Sequence, residues 1–300
     1  MSSVYKYFIF ALVIISVGCK KEGPLNVSGL KYGQLYTYDN TPLGNRLQAL
    51  FEETGSYVLY DSLYAKDFSW NFDKSLGPNW RANGVSNPNT NVPIVLDFFD
   101  QYWFGHYTKN FLRNFLPLRI VIADSILNGT QRQQFLKGEG VQLMSIRLVN
   151  TATTPMTTHI AQWTVEQKKN IAKTLHQNFF LETVANKLVN ELPDEFFAGS
   201  PYDYVVDNAS PSKKNPKELG FWNLGVDGAN AVSPAKAVDV LDWLKNIAAT
   251  LPQDMNNQFN YTVGGTTYFS QVMADKYQIL QQYLQQKYGV NIHALNSIYL

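Results

Sequence analysis

Four histidines (His106, His159, His176 and His293) and one cysteine (Cys19) are the residues of this 300-residue chain best suited to metal or nucleophilic chemistry. No two of the histidines stand four apart. The H-E-x-x-H arrangement, which puts two imidazoles and a carboxylate on one helical face, is therefore absent. No G-x-S-x-G elbow presents a serine, and neither a P-loop nor a G-x-G-x-x-G turn offers a phosphate cradle. The 24 Asp and Glu residues are enough to supply the carboxylate pair of a glycosidase, but carboxylates without a spacing rule identify no site. A lone cysteine builds no internal disulfide framework and no Cys-rich zinc module. With 25 Lys and Arg the net charge is +1, which leaves no electrostatic footprint for nucleic acid.

Cys19 has a chemistry of its own. Phe8–Val17 is an apolar run, interrupted only by Ser16, behind a short segment with one lysine. At about ten residues it is half of what a spanning helix needs, so it reads as the h-region of a signal peptide. The run closes on Ser16-Val17-Gly18-Cys19, which resembles the lipobox of bacterial lipoproteins, with Ser16 where leucine is usual. The resemblance implies that residues 1–18 are removed and that Cys19 carries the lipid. Acyl chains hold a soluble domain at a membrane without any spanning helix. The charged start Lys20-Lys21-Glu22 resembles that of surface-exported Bacteroidetes lipoproteins, which implies a lipid-anchored protein of the outer membrane and cell surface. Residues 19–42, polar and punctuated by Gly and Pro, read as a tether, and 43–300 as a single domain.

The elements expected to carry that domain alternate at first and then turn helical. Leu43–Thr54 has helical apolar spacing and stops at Gly55; Ser56–Tyr60 is a strand candidate; 73–93 reads as a loop. Ile94–Phe115 is an aromatic-rich helix with Phe99, Tyr102 or Trp103, Phe111 and Phe115 toward the core, ended by Pro117. Strands follow at Leu118–Ala123 and Val141–Val149. The longest helix runs from Trp163 to Leu192, with Thr164 and Gln167 as a capping box and Pro193 as its end. Residues 198–232 form a long connection that is either functional or hides short elements. Ser233-Pro234 opens a helix running to about Thr250. A hairpin turns at Gly264-Gly265, and two helices separated by Gly289 finish the chain. The expected fold class is α/β in the α+β sense: a small N-terminal sheet, a long central helix packed on it, and a mainly helical second half.

Three stretches carry a further resemblance: Tyr102–Pro117 before the LRIVIA strand, Lys173-Thr174-Leu175-His176, and the closing QQYLQQKYGVNIHALNSI. Over roughly 43–299 the layout resembles the Bacteroidetes zinc-binding metallopeptidase lipoproteins, also described as substrate-import-associated zinc metallohydrolase lipoproteins. The resemblance implies a zincin-like fold. Family members carry H-E-x-x-H on the mid-chain helix and an acidic ligand on a later helix, after a Gly-Phe segment and a Ser. Here the two ligand histidines fall on Gln177 and Leu181, the catalytic Glu on Asn178, and the acidic ligand on Lys236, with Asp239 nearby. Gly220-Phe221 and Ser233 remain in place. A catalytic zinc needs about three protein ligands and a base for its water, and this set supplies neither. No metal, no other cofactor and no catalytic residue are therefore expected. His176 reads as a packing or helix-surface residue. Leu181, Val184, Ala185, Leu188 and Leu192 read as one apolar face absorbed into the core, and Lys236 as exposed or paired with a carboxylate such as Asp239.

The function implied is that of a surface-anchored accessory protein, metallopeptidase-like but inactive. It would help a TonB-dependent transporter and its lipoprotein lid capture a peptide or glycan. Two alternatives stand beside it: an active hydrolase with a rearranged site, and a structural or adhesive surface protein.

Overall fold

The computed structural model describes residues 36–61, 63, 80–128, 131–133, 135–136, 143–147, 160–207, 214–227 and 230–300. The signal segment, Cys19, most of the tether and His159 lie outside the described residues. Asp39–Leu300 forms one compact unit.

The compact unit opens with helix α1 (Pro42–Thr54), capped by the Thr41 hydroxyl, which accepts from Gly44 N at 3.1 Å. Gly55 ends it at φ 76°, a conformation open to glycine at little cost. Strand β1 (Tyr57–Leu59) follows, wholly buried. The segment expected to be a loop contains strand β2 (Trp80–Asn83), and helix α2 begins early, at Pro88, running to Tyr102. Proline at the first helical position costs nothing, because the N–H it lacks has no partner there.

The single helix expected over 94–115 is two. A 3-10 turn at Phe104–His106 separates α2 from α3 (Lys109–Phe115). Two local features impose the break. At Gly105 a Cβ would lie 2.3 Å from the Asp100 carbonyl oxygen, so glycine alone fits. Thr108 then starts α3 by accepting from Phe111 N, while its hydroxyl donates to Tyr288 O at 2.6 Å, far along the chain.

Strand β3 (Arg119–Ala123) is buried along its whole length. That is what a near-continuous apolar run predicts for the inside of a parallel sheet. It lies between β1 and β7 (Leu143–Arg147), parallel to both, and β6 (Phe135–Leu136) adds an antiparallel edge to β7. Strands β2, β4 (Ser125–Asn128) and β5 (Gln131–Gln133) form a second, antiparallel sheet.

The long helix α4 (Val165–Phe179) starts on the expected capping box: Gln167 N donates to the Thr164 hydroxyl at 3.2 Å, and Thr164 N donates to Gln167 Oε1 at 2.9 Å. It does not run unbroken to Leu192. A π turn, Phe180–Val184, precedes a short α5 (Ala185–Leu188). The principal neighbours of this helix are other helices. Phe179 meets the rings of Trp103, Tyr107 and Phe111 at 5.7, 5.5 and 6.2 Å.

After α6 (Asp194–Ala198), the long connection holds a three-stranded antiparallel sheet ordered β8 (Val205–Asp207), β10 (Asn230–Val232), β9 (Gly225–Asp227). Helix α7 (Lys236–Ala249) begins later than Ser233-Pro234 suggests, with Ala235 at its cap and no side-chain cap bond. Ser233 is used elsewhere, its N–H donating to Tyr204 O as an extension of that sheet. A short α8 (Met255–Gln258) leads into the hairpin of β11 (Asn260–Val263) and β12 (Thr266–Phe269). Gly264 and Gly265 turn it at φ 57° and 83°, as a tight primed turn requires. Helix α9 (Gln271–Tyr288), capped by Ser270 and ended by Gly289, and α10 (Asn296–Tyr299) close an α+β fold.

Candidate functional site

Gln177 and Asn178 sit half-buried near the C-terminal end of α4. Leu181 does not share the apolar face assigned to it. It is 41% exposed, whereas Val184, Ala185, Leu188 and Leu192 are buried. The π turn explains the difference, because one residue beyond the α-helical count rotates everything after it relative to everything before. The buried stripe enters the turn through Ala172, Leu175, His176, Phe179 and Phe180 and leaves through Thr183, Val184 and Leu188, passing Leu181 by. Within the turn, the Thr183 hydroxyl donates to Phe179 O at 2.8 Å.

Lys236, the first residue of α7, is exposed. It is not the partner of Asp239. Its Nζ stands over the rings of Phe197 and Tyr202 at 4.5 and 5.6 Å, and the Asp239 carboxylate is held by Lys276 instead. Among the described residues, no three His, Cys, Asp or Glu side chains are grouped so as to hold a metal ion.

The histidine next to these positions is fully committed to the core. His176 is wholly buried, with Nδ1 2.8 Å from the Tyr107 hydroxyl and Nε2 2.9 Å from Tyr102 O. A carbonyl only accepts, so the proton must sit on Nε2, and Nδ1 accepts from Tyr107. Burial drives its pKa down to about 3, against the raising effect of the Tyr102 carbonyl and with a smaller lowering by His106. The ring is neutral and has no lone pair to spare. His293 is similarly used, Nε2 meeting the Tyr277 hydroxyl at 2.8 Å and Nδ1 meeting Thr250 O at 3.0 Å.

The strongest concentration of buried chemistry lies elsewhere, between α7 and α9. Lys276 Nζ contacts Asp239 Oδ2 at 2.6 Å, Gly220 O at 3.0 Å, Ser200 Oγ at 3.1 Å and the Tyr202 hydroxyl at 3.4 Å. Tyr202 donates to the same Oδ2 at 2.5 Å. Desolvation raises the Asp239 carboxyl, opposed by Lys276, Tyr202 and Trp243. Desolvation lowers the Lys276 ammonium, opposed by Asp239. Tyr202 is raised strongly, first by burial and then by Asp239.

The sequence reading missed Lys276, Tyr202 and Ser200. A signal for the lysine was present. Met273, Lys276, Leu280 and Leu284 follow helical spacing on α9, all of them buried, so the lysine interrupts an apolar stripe. Asp239 does the same on α7, in line with Trp243 and Ile247.

No family model matches the chain, and no curated protein does. Among solved structures, it is similar to the crystal structure of a protein from Bacteroides caccae described as a "putative zinc-binding metallo-peptidase". The identity is 11% and the TM-score 0.46, over 88% of this chain and 94% of the other.

Proposed function

We propose that this protein is a lipid-anchored accessory of nutrient capture at the outer membrane, built on a zincin-like scaffold that does no zinc chemistry. In this reading Cys19 carries the lipid, and the folded unit assists a TonB-dependent transporter and its lipoprotein lid in taking up a peptide or glycan. The observation that carries the non-catalytic part is the state of His176. It is the imidazole adjacent to the degenerate positions Gln177, Asn178 and Leu181, and both its nitrogens are bonded inside the core. Asp239, the carboxylate nearest Lys236 in sequence, is neutralised by Lys276.

Binding is favoured over a purely structural role by the β11–β12 hairpin. It carries no charged residue, it stacks Tyr261 on Tyr268 at 5.6 Å, and it leaves Val263, Tyr268 and Phe269 about half exposed. Exposed aromatic faces of this kind suit contact with a ligand or partner.

Fractionation followed by affinity isolation from detergent-solubilised outer membrane tests the reading. The native chain should partition with the membrane and bring down a TonB-dependent barrel, and Cys19→Ala should move to the soluble fraction. Firm membrane retention of Cys19→Ala, or stoichiometric zinc in the native chain that is lost on Gln177→Ala, would overturn it.

A further inference from the structure

The Lys276–Asp239 centre is assembled with more than an ion pair requires. Both side chains are almost fully buried, at 2% and 1% exposure, and the rings of Phe196, Phe221 and Tyr202 surround Nζ at 4.9, 5.1 and 5.6 Å. Of the two carboxyl oxygens, Oδ2 takes both the lysine and Tyr202, while Oδ1 is buried without any hydrogen-bond partner. Trp243, one turn on in the same helix, has its Nε1–H buried and equally unpartnered. That indole still pulls on the carboxyl, although it lies outside hydrogen-bond geometry. Removing two ions from water is costly, and an orphaned oxygen adds to that cost. Burial raises the Asp239 carboxyl and lowers the Lys276 ammonium, each opposed by the other group, which reduces the cost of passing a proton between them.

We propose that Lys276 and Asp239 condense to an intramolecular isopeptide bond, joining Nζ on α9 to Cγ on α7. A proton first passes from the ammonium to Oδ2, leaving an amine and an acid. The Nζ lone pair then attacks Cγ, and the developing negative charge falls on Oδ1, the oxygen with no hydrogen-bond partner of its own. Tyr202, 3.4 Å from Nζ and 2.5 Å from Oδ2, takes the second proton from nitrogen as it gives its own to Oδ2. The Cγ–Oδ2 bond breaks, one water leaves, and Oδ1 becomes the amide carbonyl. Nothing is oxidised or reduced. The amide N–H that remains faces Gly220 O and Ser200 Oγ, the acceptors already holding Nζ. The product is a covalent strut between two helices 37 residues apart in sequence, in a protein whose proposed anchor exposes it to the medium.

Tandem mass spectrometry of the full chain, recovered from the membrane, denatured and digested with trypsin, tests this directly. The expected result is a branched peptide joining residues 239 and 276, one water lighter than its two parts, with no cleavage after Lys276. Lys276→Arg should yield only linear peptides, and Tyr202→Phe should leave a mixture that converts slowly. The wild-type measurement needs no variant to fold. Linear, unmodified peptides containing Lys276 and Asp239 from the native chain would overturn the proposal, whatever the outcome for membrane anchoring.

Discussion

His176 illustrates how a residue type suited to catalysis is turned into a structural part. Its two ring bonds join α4 to the break between α2 and α3. The group's folded pKa of about 3 lies below its ordinary value of 6.5. The unfolded chain therefore binds a proton between those values that the folded chain refuses. The stability this histidine permits is fully present above pH 6.5 and is lost as pH falls toward 3. His176→Gln should cost about 1–3 kcal/mol at neutral pH, through broken buried bonds. The gap between wild type and variant should then narrow as pH is lowered from 7 to about 4, as read by urea midpoints. A gap independent of pH would contradict the neutral, buried assignment. The Lys276 centre gives a second expectation at this scale. Lys276→Met strands the Asp239 carboxyl in an apolar cage and should cost about 3–5 kcal/mol. The double variant Lys276→Met, Asp239→Leu should lose less than the sum of the two single changes.

At the scale of the element, the π turn in the central helix decides which side chains meet the core. Leu181→Ser should change stability by no more than about 0.5 kcal/mol, because that side chain already faces solvent. Leu188→Ala, on the buried stripe, should cost about 2–5 kcal/mol. Denaturant titration of the two variants distinguishes this register from an unbroken α-helix, in which both leucines would share one face and both changes would be expensive. Thr164→Ala, which removes one half of the capping box, should cost about 1 kcal/mol in the same measurement. Such a cost would show that the start of the helix is fixed by its own sequence.

For the whole molecule, contacts that are long-range in sequence tie the two halves of the compact unit together. Thr108 donates to Tyr288 O, and Tyr283, Lys287 and Tyr288 converge on Glu191 Oε2, just past the central helix. Phe111 and Phe115 pack on the Tyr288 ring at 5.7 and 5.0 Å. With the first half locked to the last helix in this way, residues 39–300 should unfold in a single transition, with circular dichroism and tryptophan fluorescence coinciding. Two separated transitions would mean that the halves are independent domains.

The sequence alone determined those features that depend on neighbours in the chain. The Thr164–Gln167 box, the Gly264-Gly265 turn, the strand at β3 and the Gly289 stop are local statements, and each stands in the structure as read. The burial of Phe99, of Tyr102 or Trp103 (both are buried), of Phe111 and of Phe115 was legible too, since large apolar rings at helical spacing have few other uses. The use of Ser233 in a sheet was not legible, because its N–H is taken by the carbonyl of Tyr204, far back in the chain, and neither the break at Gly105 nor the π turn follows from apolar spacing. The same holds for the site. Gln177, Asn178, Leu181 and Lys236 were singled out by the family resemblance, not by any spacing within the chain. The meeting of Lys276, Asp239, Tyr202 and Ser200 required the tertiary fold, because charges on separate helices become a single buried centre only when packing removes the water between them.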